Sequence, residues 1–565
     1  VLSLAMIILV DLLIIFLTNS IRVGSVIVPF VLFIFAVVVC VVYEFRGIPM
    51  MAPDILTVQT ATSVMGNYTF KLTFEQYSVI LVCMAFFFTF LRLHEVKVTE
   101  KRVFHIAGFI VVALGCGLFT NQIILSDFME EHQINIRMFR PMESYQKYGG
   151  VLTFARSVGY AVVKKPEGYT TAKVDQIIQE YEKKSANEQQ STAKQYPNII
   201  TVVNETFADI RVLGDFKTNE DYMPYFHSLK KNCVTGYTYA SIVGGQTANT
   251  EFELLTGNTL GFLSAGTTAF QLYIHGQMPS LVSNLKAEGY SGNKAMHPFN
   301  PYNYNRPAVY KDFGFTDFID KFDFPKNVKR VREYISDEAN VDRIISEYEK
   351  NRKKTDQPFY MYNMTIQNHS PYDKDAANFK QPIKIESSKY DAEANRYLNL
   401  IKYSDDSLKQ LTSYFEKCKE PTIILFLGDH QPRLTDEFMN KITNGQYQTW
   451  SSEQMMKRYQ VPFVIWANYD IKEQHIEKTS MNYIQSILTK TAGVKMTGYQ
   501  RFLNEVRKEV PTITSQGYWG KNGKFYQIND KGSPYYGIIQ KYRMIQYNMM
   551  FDKKNRRDSF FEVSK

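Results

Sequence analysis

Cysteine is scarce in this chain. Only five occur in 565 residues, and Cys40, Cys83 and Cys116 sit inside apolar runs. Cys233 and Cys418 alone lie in the polar part, so there is room for one bridge and no disulfide framework. Long apolar runs are missing after roughly position 125, so the rest of the chain has no stretch suited to a bilayer core. No nucleic-acid-binding module is recognisable. The formal net charge of +9 therefore points to anionic lipid rather than to nucleic acid. A chain this long exceeds a single core, so at least two domains are expected.

What is present begins with four apolar stretches, at about 1–17, 23–43, 77–93 and 104–119, each near the length of a membrane span. They come in series, unlike a cleaved signal peptide. The short link between Arg92 and Arg102 carries Lys97 and Lys101, which places it in the cytoplasm. The link 44–76 and everything after Asn121 then lie outside. Position 1 is Val within an apolar run, so upstream residues and a further span are expected. Asp11 lies at membrane depth, where an ionisable group is a functional candidate or a helix-pairing group. Residues 136–163 mix Arg137, Arg140, Lys147 and Arg156 with Phe139, Tyr145, Phe154 and Tyr160, the pattern of a helix on the membrane surface or of a solvated linker. The polar stretch 183–194 marks a boundary. The expected division is 1–123 transmembrane helices, 124–195 connector, 196–498 catalytic domain, and 499–565 a C-terminal subdomain with a basic, aromatic tail. That tail could hold the domain to a bilayer or wall polymer, or be solvated and partly ordered.

From Pro197 the texture becomes α/β. Runs at 198–203, 359–366, 421–427 and 461–466 are short, apolar and largely β-branched or aromatic, as buried parallel strands are. Helix-like segments such as 392–417 separate them. The fold class is α/β, a mostly parallel sheet flanked by helices, behind an N-terminal helical membrane domain.

Three of these runs are followed by ligand-type residues: Glu205, His369, and Asp429 with His430. In open α/β sheets, sites form beyond that edge. Two carboxylates, an imidazole and a hydroxyl suit Mn²⁺, Mg²⁺ or Zn²⁺. Adjacent Asp429 and His430 would point apart on a regular strand, and can converge only where Gly428 and Pro432 let the strand end and turn. The hydroxyl is Thr247. Gly244 and Gly245 permit a tight turn, Thr247 follows, and Gly257 can close the helix. Thr247 would be an ordinary N-cap or, beside a metal, a nucleophile whose pKa coordination lowers by several units.

Several motifs together carry a resemblance: Asn204-Glu205-Thr206-Phe207, Gly245-Gln246-Thr247-Ala248-Asn249-Thr250-Glu251-Phe252, Met296-His297, Tyr304-Asn305-Arg306, Asn368-His369-Ser370-Pro371-Tyr372 and Gly428-Asp429-His430. Arg46-Gly47-Ile48-Pro49 with Asp54 adds to them. The chain resembles the lipoteichoic acid synthase family, membrane-anchored members of the alkaline phosphatase/sulfatase superfamily. The resemblance implies that Glu205, Thr247, Asp429 and His430 hold Mn²⁺, with Thr247 as nucleophile. It implies that His297, Arg306 and His369 contact a glycerophosphate group, with His369 or His297 moving the proton. It implies five spans, a plasma-membrane location with the catalytic domain outside, phosphatidylglycerol as donor and a cell-envelope polymer as acceptor. Three positions depart from the family's pattern: Gln246 stands where Lys is usual, Tyr304 where Trp is, and Phe299 where an acidic group is. A sulfatase activity is disfavoured, because Thr247-Ala248-Asn249 is not the modifiable Cys-x-Pro-type motif. The alternatives are a glycerophosphate or phosphoethanolamine transferase acting on a wall polysaccharide, and a non-catalytic, membrane-tethered polymer-binding protein.

Overall fold

A run of β-branched and apolar residues with no polar alternation needs cover on both faces. Asn198–Asn204 and Thr422–Gly428 are buried at every position, and so is Phe359–Met364. In the computed structural model these runs are central strands. The structure describes residues 2–46, 49–57, 74–92, 94–126, 128–131, 134, 141–159, 163, 165–185, 195–264, 266–386 and 389–563. Parts of the expected outer link 44–76 (with Gly47 and Ile48), of the surface stretch 136–163 (with Arg137, Phe139, Arg140 and Tyr160) and of the boundary 183–194 lie outside the described residues.

The described strands are β1 (Asn198–Asn204), β2 (Cys233–Tyr239), β3 (Ser291–Met296), β4 (Asp317–Ile319), β5 (Arg330–Val331), β6 (Tyr334–Ile335), β7 (Phe359–Met364), β8 (Thr422–Gly428), β9 (Gln460–Ala467), β10 (Gln474–Ser480), β11 (Thr512–Thr514), β12 (Gly517–Trp519) and β13 (Phe525–Tyr526). Eight of them form one sheet, in the order β10-β2-β9-β8-β1-β7-β3-β4. β1 pairs in parallel with β7 and β8, and β3 with β7 and β4. β9 runs antiparallel to both neighbours, β8 and β2. The sheet is thus mostly parallel, and the run at 461–466 is its reversed member. Ile200, Val202, Ile424 and Phe426 turn one face toward Ile344, Tyr348, Leu408, Leu411 and Phe415 of the helices Asp337–Arg352 and Ala392–Phe415. The alternate residues of each strand face the other side.

The chain divides into two compact units, Val1–Val163 with Ser264–Thr267, and Lys164–Leu263 with Thr268–Lys565. In the first unit the helices Ile21–Tyr43 and Arg102–Ile124 are each 23 residues long and apolar enough to cross a bilayer. Leu2–Thr18 and Ile80–Leu91 are apolar but shorter. At about 1.5 Å per residue, the 17 residues of Leu2–Thr18 span less than a ~30 Å hydrocarbon core. Asp11 lies on this helix against Gly24 of the next one, and its Oδ1 is buried without a hydrogen-bond partner.

Two expectations are corrected in the second unit. Cys233 and Cys418 are free, so the one available bridge is not formed. The tail is not a solvated one: Tyr536–Met550 is a helix that buries Ile539, Tyr542 and Ile545. Tyr542 and Tyr499 both donate to the carbonyl of Gly257, and Gln546 brackets Thr259. The helix Thr171–Lys184 joins the same cluster, with Tyr181 edge-on to Phe502 and Glu180 paired with Lys541. Aromatic rings with buried hydroxyls are held there by backbone carbonyls.

Candidate active site

The residues singled out in the sequence meet at one edge of the sheet. Glu205 directly follows β1, Asp429 and His430 follow β8, and His297 follows β3. His369 sits on the loop after β7. These strands run in parallel and end together, so their loops converge. Gly428, the last residue of β8, lies where the backbone of Phe207 passes close by. A Cβ there would stand 1.8 Å from the carbonyl oxygen of Phe207, so a side chain is excluded.

Thr247 reaches the same edge on the helix Thr247–Thr256. It is the first helical residue. The N-cap is Gln246, held in the left-handed region at φ 64° and making no side-chain cap. Gly245, at φ 148°, takes a conformation that favours glycine. Gly257, at φ 72°, closes the helix with its N–H on the Glu253 carbonyl. All ten residues of this helix are buried.

Carboxylate or imidazole atoms of Glu205, Asp429 and His430 lie within 4.8 Å of one another. Thr247 Oγ1 is 3.5 Å from Glu205 Oε2. Asp429 Oδ1 accepts from the N–H groups of Thr206 and His430, at 2.6 and 2.8 Å. Its Oδ2 is buried without a hydrogen-bond partner, and so is His430 Nε2. These two atoms stand only 3.2 Å apart, but not in hydrogen-bonding geometry. Buried polar atoms left this way are costly, by about 1–3 kcal/mol each. Burial, and then the Asp429 charge, push the Glu205 carboxyl well above its ordinary range. Oxygen and imidazole ligand atoms gathered at a buried site fit a divalent cation of the Mn²⁺, Mg²⁺ or Zn²⁺ type.

The three histidines share one arrangement. Nδ1 of His297 lies 3.0 Å from the Met364 carbonyl, Nδ1 of His369 lies 2.7 Å from that of Ser370, and Nδ1 of His430 lies 3.0 Å from that of Gln431. A carbonyl only accepts, so each Nδ1 carries the proton and each Nε2 offers a lone pair. Burial, helped by Arg306, holds the pKa of His297 well below its ordinary value. Burial pushes His369 down to about 4. Phe299 lies between these two rings, nearly parallel to His369 and edge-on to His297.

Arg306 is not at the surface, where an isolated arginine is usually found: it is 1% exposed. Its Nε and Nη2 donate to Glu251 Oε1 at 3.1 and 2.7 Å. Tyr310 and Tyr362 donate to Glu251 Oε2. Tyr304 and Asn305, both left-handed at φ 59° and 58°, aim the Arg306 helix. Sequence reasoning missed Glu251 as the partner of this arginine, and missed Tyr334 and Arg332 around His369, and it noted Phe299 only as a departure from the family's pattern. Glu251 lies inside one of the motifs above, but only the fold brings it to residue 306.

Glu253, further along the Thr247 helix, is engaged elsewhere. Its Oε1 accepts from Ser241, Thr259 and the N–H of Leu260, at 2.7, 3.3 and 2.8 Å. Its Oε2 is buried and without a partner. Burial raises this carboxyl from 4.5 to about 7. The unfolded chain loses the proton near 4.5 and the folded chain near 7. Stability therefore falls as pH rises through that window and is level above it, a change on the order of 3 kcal/mol. In Glu253→Gln, urea unfolding at pH 5 and at pH 8 is expected to differ by that much less than in the parent.

A sulfatase family model matches residues 197–494, more than half of the chain. The chain belongs to the sulfatase family. A provisionally named cyclic beta-1,2-glucan modification protein of Rhizobium meliloti is 30% identical over 433 residues, covering 75% of this chain and 65% of that protein. The lipoteichoic acid synthase-like YvgJ of Bacillus subtilis is 27% identical over 41% of this chain and 36% of its own length. The lipoteichoic acid synthase of Staphylococcus saprophyticus is 23% identical over 63% of this chain and 55% of its own length. The chain thus spans about two thirds or less of these relatives. The Streptococcus pyogenes phosphoglycerol transferase GacH, solved with sn-glycerol-1-phosphate, superposes with a TM-score of 0.58 at 20% identity, over 71% of this chain and all of that one. This likeness establishes the shared fold.

Proposed function

We propose that the protein transfers glycerol phosphate from phosphatidylglycerol, through an intermediate on Thr247, to a polymer of the cell envelope. The carrying observation is the meeting of the Thr247 hydroxyl with Glu205, Asp429 and His430, two of whose buried atoms lack partners. Glu205, Thr247, Asp429 and His430 would hold a divalent cation, Mn²⁺ by the family resemblance. When bound, the cation would favour ionisation of the Thr247 hydroxyl and polarise a phosphoryl oxygen.

The chain's own groups do the rest. Thr247 Oγ attacks phosphorus, a new P–O bond forms, and the bond to the diacylglycerol oxygen breaks. That oxygen takes up the proton given up by Thr247, relayed through Nε2 of His369 or His297, and diacylglycerol leaves. The acceptor hydroxyl then attacks the same phosphorus, passing its proton to Nε2 of His369 or His297, and Thr247 departs and regains a proton. Neutral imidazoles with Nε2 free are in the form a base needs. Glu251 occupies two nitrogens of Arg306, and we assign Nη1 to a phosphoryl oxygen. The start of the Thr247 helix adds a smaller attraction for the phosphate, about 1 kcal/mol.

The site would lie outside the plasma membrane, where donor headgroups are reachable, with the apolar helices of the first unit as anchor. A polysaccharide acceptor is the second reading, favoured by the similarity to the glucan modification protein. Purified full chain incubated with fluorescent phosphatidylglycerol and Mn²⁺ should release diacylglycerol. Adding glucan or glycerophosphate acceptors one at a time separates the two readings. Metal should also stabilise the fold: at 100 times its Kd, Mn²⁺ adds about 2.7 kcal/mol. Asp429→Asn should abolish that gain, and an unchanged melting temperature in the parent with and without chelator would count against the cation site.

A further inference from the structure

Arg332 is buried and forms no ion pair among the described residues. It occupies the turn between β5 and β6, outside the main sheet, and is 9% exposed. Its guanidinium donates to three carbonyls of one loop: Nη1 to Pro371 at 2.6 Å, and Nη2 to Gln367 and His369, both at 2.8 Å. It lies over the rings of Tyr334 and Tyr372, and its Nε is buried without a partner. Its backbone sits in the left-handed region at φ 55°. For a residue with a Cβ this costs about 1–2 kcal/mol, and such strain persists where the surroundings demand it.

The loop that Arg332 grips carries His369. Between the carbonyls of His369 and Pro371 stands that of Ser370, and this one receives the Nδ1 proton of His369. Fixing the outer two fixes the middle one. The middle one sets the ring, and the ring sets where Nε2 points. Tyr334, two residues on from Arg332, adds its hydroxyl to the Ser370 carbonyl at 3.3 Å. The same hydroxyl stands 3.4 Å from His369 Nδ1, while Tyr372 on the Asn368 carbonyl and Asn368 on Asn204 and Ser404 hold the base of the loop.

We propose that Arg332 is the positioning residue that aims His369 Nε2 into the site, by gripping the carbonyls on either side of the one that holds Nδ1. The role rests on the transfer reading above, in which His369 accepts a proton. A buried arginine with no paired carboxylate also lends positive potential to a pocket that must hold a phosphoryl group.

Arg332→Gly tests this cleanly, because glycine relieves the left-handed strain while removing the guanidinium. The variant is expected to melt within a few degrees of the parent. Its kcat for diacylglycerol release should fall at least 10-fold with KM moved less than threefold, and millimolar guanidinium should restore part of the rate. Independently of turnover, carbethoxylation of His369 by diethyl pyrocarbonate, read by mass spectrometry against exposed His475, should rise at least threefold as the ring is freed. Parent-like kcat in Arg332→Gly overturns the proposal. So does a slow variant that ignores guanidinium and labels at the parental rate. If Thr247→Ala releases diacylglycerol as well as the parent does, the transfer reading has failed, and the labelling of His369 still judges the clamp.

Discussion

Thr247→Ala is expected to lower diacylglycerol release by on the order of 10³-fold or more, while the protein stays folded and still gains stability from Mn²⁺. The size follows from the role: without the nucleophile no covalent intermediate forms, and single deletions within such a set cost about as much as removing all of it. The selectivity follows from the geometry. Thr247 is the first helical residue and not the cap, so its side chain closes no N–H of the helix. Alanine is the better helix former by a few tenths of a kcal/mol. What the substitution removes is the 3.5 Å approach of the hydroxyl to Glu205. Glu205, Asp429 and His430 remain to hold the ion. Serine at 247 should retain measurable release, since it keeps the oxygen. An alanine variant with parental release would remove Thr247 from the chemistry altogether.

The second large effect is on stability as well as rate. Glu251→Gln should destabilise the second unit by about 3–5 kcal/mol, because it strands a fully buried guanidinium whose partner was a charge. The two tyrosines that now donate to Glu251 Oε2 would meet an amide instead. The pair as a whole is another matter. Two buried charges replaced by apolar residues of like volume often lose nothing. Glu251→Leu with Arg306→Met, Tyr310→Phe and Tyr362→Phe, which strands no hydroxyl, should therefore recover most of the stability that the single change forfeits, yet remain inactive, since no guanidinium is left for the phosphoryl oxygen. Unfolding in urea and diacylglycerol release on the same three proteins separate the two contributions. Recovery of both together would show that Arg306 serves packing and not the substrate.

Most parts of this site that could be read from the sequence share one property: they follow a strand that announces itself, whereas Thr247 was placed by its glycines. Asn198–Asn204 and Thr422–Gly428 are unbroken apolar runs, so Glu205 and the pair Asp429 and His430 could be placed at strand ends before any coordinates. β2, β3 and β10 were invisible. Their sequences, CVTGYTY, SGNKAM and QHIEKTS, are too polar to suggest buried strands, and β10 is an edge strand with four of its seven residues exposed. The reversal of β9 could not be seen either, because side chains alternate with the same period in both directions. Arg332 carried no signal at all, and Phe299 stood out only as a departure from the family's pattern. Their neighbours are His369 and its loop, distant in the chain, and only tertiary structure joins them. The family resemblance supplied what spacing could not, the implied roles of His297 and Arg306.

One property of the helix Thr247–Thr256 bears on how this protein can change. Thr250 is tied to the Asp429 carbonyl, Glu251 to Arg306, and Glu253 to the segment at Thr259 and Leu260. Three positions along one wholly enclosed rod are thus anchored to three different regions. Its amides should be among the last in the molecule to exchange with deuterium, opening only when the whole unit opens. A scaffold so rigid leaves new substrates to be accommodated by the loops around it, so diversification should spare 247–256 and fall on the rim.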